Sequence, residues 1–256
     1  RDSNVEHKAN GLTLGIDNWI YVSQHGRRYQ FINGKFRNEK VPRVGQWGLA
    51  RNDEGRFLFS SNSNPAMGFF IAPDYLVNSK RIESEVLLTG SVIKAGNYLQ
   101  VWPSVKTADL QSGLGAARVS DGTLRGFTSA CGQCFFRGDK LGEGVTGDYF
   151  ICEPVGRLVR RSKVKYLDSG HIELSNLYEE NSDEFITSSD GNFRPVNTYT
   201  GPDGCLYIVD MYRGLVQHKI YLTSYLRNQA ESRGLEKGID KGRIYRVVYK
   251  GNNTSS

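Results

Sequence analysis

The sequence predicts an all-β fold, a β-propeller with one short helix near the C-terminus. Three observations carry this. A strand–turn–strand layout recurs in "LTLGIDNWIYVS" (12–23), "WGLARNDEGRFLFSS" (47–61) and "VNTYTGPDGCLYIVD" (196–210). The first two turn aspartates, Asp17 and Asp53, lie 36 residues apart, close to the ~40–50 residues of one propeller blade. The chain holds 29 Gly and 14 Tyr against two Met, which suits many strands joined by tight turns.

Each element follows from local chemistry. The turn residues Asp17-Asn18, Asp53-Glu54-Gly55 and Asp203-Gly204 supply the positive φ that tight hairpins need. The strands after them, "WIYV", "RFLFS" and "CLYIV", are aromatic or β-branched. "GDYFICEPVGRLVRR" (147–161) reads as a further strand pair broken at Pro154 and Gly156. "GRIYRVVYKG" (242–251) is a late strand with Ile244, Val247 and Val248 as its apolar positions. One helix is predicted, "LTSYLRNQAESRG" (222–234), capped by Thr223 or Ser224 and ended by Gly234. Residues 81–128 mix Gly, Pro and polar turns and read as a long excursion between blades. No low-complexity linker divides the chain, so residues 1–256 are expected to form one domain.

At 256 residues the chain can bury a sizeable core. Its net charge is +6, but the basic residues are spread along it. The densest stretch, "GRLVRRSKVK" (156–165), sets Leu158, Val159 and Val164 among five cations and reads as a strand with a solvated face. A nucleic-acid surface would gather its cations on one face, so no nucleic-acid partner is expected. No run approaches the ~18 apolar residues of a spanning helix, so no membrane span is expected. The chain opens on Arg1 without a leader-like stretch and reads as a fragment or processed product.

Cys131, Cys134, Cys152 and Cys205 are the four cysteines. In "CGQC" (131–134) Phe135 follows where haem attachment requires His, and neither a second C-x-x-C nor a paired His completes a zinc site. "CGQCFFRGD" reads as a strand entering a turn. Buried thiols or one local disulfide are expected, and no haem in this chain.

Several stretches resemble the propeller domain of a bacterial family labelled membrane-bound dehydrogenase-like or haem-binding proteins, abundant in planctomycetes and verrucomicrobia. They are "VEHKANGLTLGIDNWIY", "GQWGLARNDEGRFLFSSNSNP", "TSACGQCFFRGD", "GDYFICEPVGRLVRR", "NFRPVNTYTGPDGCLYIVDMYRGLVQH" and "YLTSYLRNQAESRGLEKGIDKGRIYRV". More distantly, the motif order is similar to the soluble quinoprotein glucose and aldose-sugar dehydrogenases, six-bladed propellers that hold pyrroloquinoline quinone and calcium over the channel. The resemblance implies an oxidoreductase acting on a sugar or alcohol, periplasmic or exported, that passes electrons to an attached or partner cytochrome c. On that mapping about two N-terminal blades would be missing.

The resemblance also implies site residues. His7 falls on the catalytic histidine, a base that takes the hydroxyl proton while hydride moves to the quinone; histidine suits that task because free imidazole titrates at ~6.5. Arg194 matches one of two cofactor-binding arginines, with Asn192 in place of the other. Arg43 lies near a further arginine position, one residue out of register. The cofactor lysine expected near "EPVGRLV" has no counterpart. "SSNSNP" (60–65) overlies the calcium turn, with Asn62, Asn64 and Pro65 as oxygen donors and Asp74 as a further candidate.

From the residues alone, "VDMYRGLVQH" (209–218) places Asp210, Tyr212, Arg213 and His218 just after an apolar strand. They either line a channel mouth or form an Asp210–Arg213 pair that stiffens the turn. For Arg194 the alternative is a salt bridge to Asp190, and for His7 an ordinary loop position. His25, at the end of the first hairpin, is a surface residue or a substrate contact. The alternative to an enzyme is a non-catalytic propeller that binds carbohydrate or protein within a larger haem-containing protein.

Overall fold

The computed structural model describes residues 7–72, 75, 89–106 and 120–251. It is mostly β. The first sheet holds β1 (Asn10–Leu14), β2 (Ile20–Ser23), β3 (Arg27–Ile32) and β4 (Lys35–Lys40). The second holds β5 (Leu49–Arg51), β6 (Phe57–Phe59), β7 (Met67–Phe69) and β8 (Thr89–Ser91). The third joins β9 (Cys131–Phe135), β10 (Tyr149–Glu153), β11 (Leu158–Tyr166) and β12 (Ile172–Asn176), with β13 (Ile186–Thr187) also on β11. The fourth joins β14 (Pro195–Thr200), β15 (Leu206–Asp210) and β16 (Arg243–Val247). The pairings between these strands are antiparallel.

The sheets stack through their first strands. β1 meets β5, β5 meets β9, and β9 meets β14. This is a propeller-like arrangement of four blades. Three apolar clusters fill the gaps between successive blades. Trp19, Tyr21 and Phe57 lie between the first and second. Ala50, Leu58, Phe135, Tyr149, Ile151 and Leu158 belong to the cluster between the second and third. Phe136, Phe150, Cys152, Val159, Leu206 and Ile208 belong to that between the third and fourth.

The recurrent hairpins share one device. Asp17 Oδ1 accepts from Trp19 N at 3.1 Å, and its Oδ2 accepts from the Tyr21 hydroxyl at 2.8 Å. Asp203 does the same with Cys205 N at 3.1 Å and Tyr207 at 3.1 Å. The shared spacing is Gly-x-Asp-x-x-x-Tyr, at 15–21 and 201–207. Asn18 (φ 62°) and Gly204 (φ 78°) supply the left-handed turn residue. In the second hairpin Asn52 replaces the Asp–Tyr pair, its Oδ1 accepting from Arg56 N at 2.7 Å.

The predicted helix is α1 (Ser224–Arg233); Thr223 Oγ1 accepts from Leu226 N and Gly234 (φ 62°) closes it. Among the described residues no helix is long and apolar enough to cross a membrane.

Two expectations change. The 81–128 excursion is not only a connection: Thr89–Ser91 is the fourth strand of the second blade, and Tyr98, Val101, Leu124 and Phe127 enter the core. Their apolar side chains are too widely spaced in sequence to show a period. β11 does not keep its cations on a solvated face either. Arg160 is fully buried, pairs with the equally buried Glu184, and donates to the Tyr98 and Gln100 carbonyls. A buried guanidinium needs this full set of acceptors. Arg161 and the more exposed Lys163 both pair with Asp148, whose side chain is buried.

Candidate functional site

A cavity of about 780 Å³ opens where the four first strands begin. Asn10 and Gly11 come from β1, Trp47 and Gly48 precede β5, Cys131 and Gly132 open β9, and Val196 and Asn197 lie in β14. The segments just beyond the second strands add Asn62, Pro154 and Val155, and the 211–218 loop. Every blade therefore contributes, as the radial stacking requires.

A hydrogen-bonded rim joins the first two blades. Asn10 donates to the Gln46 carbonyl at 2.7 Å and accepts from Gly48 N at 2.8 Å. Gln46 Oε1 accepts from Asn62 N at 2.6 Å, so its amide NH2 is the end that faces His7 Nε2, 3.3 Å away. That makes His7 Nε2 an acceptor. Trp47 donates from Nε1 to Asn62 Oδ1 at 2.8 Å and meets the His7 ring edge-on at 5.9 Å. His7 thus touches the lining residue Trp47 but is not itself part of the lining.

Arg194 forms the opposite wall. It is 1% exposed. Its guanidinium donates to four backbone carbonyls: Arg213 (2.9 Å), Pro154 (3.0 Å), Val155 (3.4 Å) and Gly214 (2.6 Å). It clamps the β10–β11 turn to the 211–218 loop. Asp210 completes the clamp, its Oδ1 accepting from Arg194 N and Tyr212 N, both at 2.7 Å. The expected Asp210–Arg213 pair is replaced by these backbone bonds, because Asp210 is buried and reaches amides of its own turn first. Asp190 is likewise turned to local donors, accepting from Asn192 N at 2.9 Å.

This leaves Arg213 in the cavity lining with no acceptor for its guanidinium among the described residues. His218 also lines it. Its Nδ1 accepts from Ile220 N at 3.3 Å, so the neutral ring carries its proton on Nε2 and can donate from there. Among the described lining residues there is no aspartate, glutamate or lysine. The remaining polar wall is neutral: Thr128, Ser129, Asn197 and Gln217. Thr128 and Ser129 are held from behind by Glu153, which accepts both their amides at 3.0 and 2.9 Å. Burial pushes the Glu153 carboxyl up, against those hydrogen bonds.

The domain of unknown function DUF7133 matches residues 1–251. The chain belongs to that family. No curated protein matches this DUF7133 chain. Among solved structures, a catalytically inactive virginiamycin B lyase variant from Staphylococcus aureus with quinupristin is 13% identical. Its TM-score is 0.36, over 82% of this chain and 51% of the lyase; the DUF7133 chain thus spans about half of the lyase's length. An oxidoreductase from Thermus thermophilus, described as a glucose dehydrogenase, is 12% identical. Its TM-score is 0.33, over 83% of this chain and 80% of that one. Likenesses this remote leave the site to be argued from its own residues.

The DUF7133 fold gathers some of the expected site residues and disperses others. Arg194, Arg213, His218 and Asn62 line the cavity, and His7 adjoins it. Arg43 is exposed outside the lining and donates to Gln24 Oε1 at 2.8 Å. Asn192 and Tyr212 also lie outside it; Tyr212 (φ 49°) carries Arg243 over its ring at 3.5 Å. His25 stacks on Tyr29 and shares a 2.6 Å hydrogen bond with its hydroxyl, away from the cavity.

The 60–65 turn does not fit calcium. Asn62 Oδ1 serves Trp47, Asn64 Oδ1 accepts from Ala66 N at 3.2 Å, and the Pro65 carbonyl accepts from Tyr149 at 2.9 Å. Among the described residues no three His, Cys, Asp or Glu side chains gather as a metal group. Asp74 lies outside the described residues.

Sequence reading passed over Trp47, Gln46, Asn10, Asn197 and the Thr128–Ser129 pair. The available signal was positional: each stands just before a first strand or in its opening residues, where blades converge.

Proposed function

We propose that the cavity binds an anionic, ring-bearing molecule, and that pyrroloquinoline quinone fills it in a sugar or alcohol oxidoreductase. One observation carries this reading: Arg213 faces a cavity of about 780 Å³ that has cations and neutral polar groups but no acidic lining residue. A tricarboxylate ring offers the partners that Arg213 and His218 Nε2 need, and Trp47 offers a face for the planar system. What supports the quinone is charge: Arg213 and His218 line the cavity and no described lining residue is acidic. When bound, the quinone would accept hydride from a hydroxyl-bearing carbon.

In this reading Arg213 and His218 hold carboxylates, and Arg194 and Asp210 keep their loop in place. His7, in contact with Trp47 outside the lining, would take a proton from a substrate hydroxyl once Gln46 yields Nε2. The four blades are part of a six-bladed, exported ring that hands electrons to a cytochrome c, as the resemblance implies.

A second reading has its own support. Arg194 is engaged by carbonyls and His7 Nε2 by Gln46, as in a propeller that binds an acidic sugar without turning it over.

A titration tests the proposal. Pyrroloquinoline quinone is added to the protein with and without calcium, and its absorbance and the tryptophan emission are followed. Saturable binding is expected, weakened about 10- to 100-fold in Arg213→Gln, as for loss of one charge-assisted hydrogen bond. No saturation in either buffer, or equal affinity in the variant, overturns it.

A further inference from the structure

The C-G-Q-C stretch has a structural consequence that its spacing alone conceals. On a regular strand, residues three apart point to opposite faces. Here Cys131 and Cys134 both pack on the cluster between the third and fourth blades. The cause is a break in register on β9. Cys134 lies opposite Phe150 and Cys131 opposite Cys152, so three steps on β9 match two on β10. Gly132 (φ 61°) forms this bulge. Phe150 and Cys152 belong to the same cluster, so three thiols share one face. Cys205 immediately precedes β15, next to the hairpin turn.

Cys131 and Cys152 are direct cross-strand partners. Opposed Cα atoms in an antiparallel pair lie ~4.5–5.5 Å apart, inside the range a disulfide spans. Cys131 also lines the cavity, so a small reagent can reach it, whereas Cys152 is fully buried.

We propose that Cys131 and Cys152 form a disulfide across β9 and β10, made through the cavity by exchange with a low-molecular-mass disulfide. Cys131, as thiolate, attacks one sulfur of glutathione disulfide, forming a mixed disulfide and releasing one glutathione thiolate. Cys152, as thiolate, then attacks the Cys131 sulfur and releases the second. Two protein thiols are oxidised, one glutathione disulfide is reduced to two glutathiones, and the two thiol protons end on the departing thiolates. Burial, then the nearby Glu153 carboxylate, pushes the Cys131 thiol up, so exchange takes hours rather than seconds. Cys134, held by burial at about 12, is the competing partner for Cys152.

The test uses the unsubstituted chain, held in glutathione disulfide at pH 8 for a day. It is then denatured and alkylated, and its thiols are counted by intact mass. Two alkylated cysteines instead of four are expected, with a rise in melting temperature. In a Cys134→Ser variant, tryptic peptide 126–137 keeps Cys131 as its one cysteine and should be joined to 141–157, which carries Cys152. Four alkylated cysteines in the unsubstituted chain overturn the proposal. So does a linkage that involves Cys205, or loss of the linkage in Cys134→Ser. If the variant folds poorly, fragmentation of the linked 126–137 and 141–157 peptides from the unsubstituted chain assigns the bond, and a link through Cys134 in place of Cys131 overturns the proposal.

Discussion

Asp203 illustrates how one carboxylate ties a turn to a neighbouring strand. It accepts from Cys205 N and Tyr207, and Arg246 of β16 donates to its Oδ2 at 2.5 Å. That arginine holds its carboxyl down at about 2, from an ordinary 3.8. A depressed carboxyl stabilises the fold fully above its unfolded pKa, and the contribution fades as pH falls through the folded value. The tie should therefore hold above pH ~4 and be lost between there and ~2. Carboxyl NMR should show Asp203 titrating near 2, moving towards 4 in Arg246→Gln; a midpoint near 4 in the unsubstituted chain would contradict the assignment. At this scale the sequence was legible in part. The turn aspartates stood out because Asp-Gly and Asp-Asn are turn chemistry. Arg160 did not, since a burial with Glu184 depends on a partner 24 residues away. Nor did the carbonyl cage of Arg194, because backbone acceptors leave no mark on residue type.

Elements were more legible than residues. The hairpins, the late strand and the capped helix were readable because each depends on local turn, cap and alternation signals. β8 escaped, since its Thr-Gly-Ser carries no apolar residue and no alternation, although it pairs with β7. The β9 bulge escaped too, although Gly132 marks it. A Cβ there would sit 2.0 Å from the Val196 carbonyl oxygen, on a backbone that side chains rarely adopt. Gly132→Ala should cost about 3 kcal/mol, combining backbone strain with overpacking against β14. Urea denaturation measures it, and a loss below about 1 kcal/mol would show that β9 and β14 can separate without penalty.

Across the whole molecule, the repeat of one hairpin at blade spacing was enough to anticipate radial stacking. It could not fix the blade count, since only three of the hairpins share an obvious turn and the other strand pairings are sequence-diverse. Radial stacking has one functional consequence. Residues as distant as Asn10, Trp47, Cys131, Arg194 and His218 reach a single opening because each stands near the same end of its blade. The half-buried cation in an acid-free cavity is a whole-fold property: Asp210 and Arg194 hold their segments through the backbone and leave the Arg213 side chain to the cavity lining. The most direct measurement is a crystal structure of the protein soaked or grown with pyrroloquinoline quinone. The quinone is expected between Trp47 and the 211–218 loop, with a carboxylate within hydrogen-bond distance of Arg213. Quinone bound elsewhere, or in the cavity with its carboxylates turned away from Arg213 and His218, would contradict it.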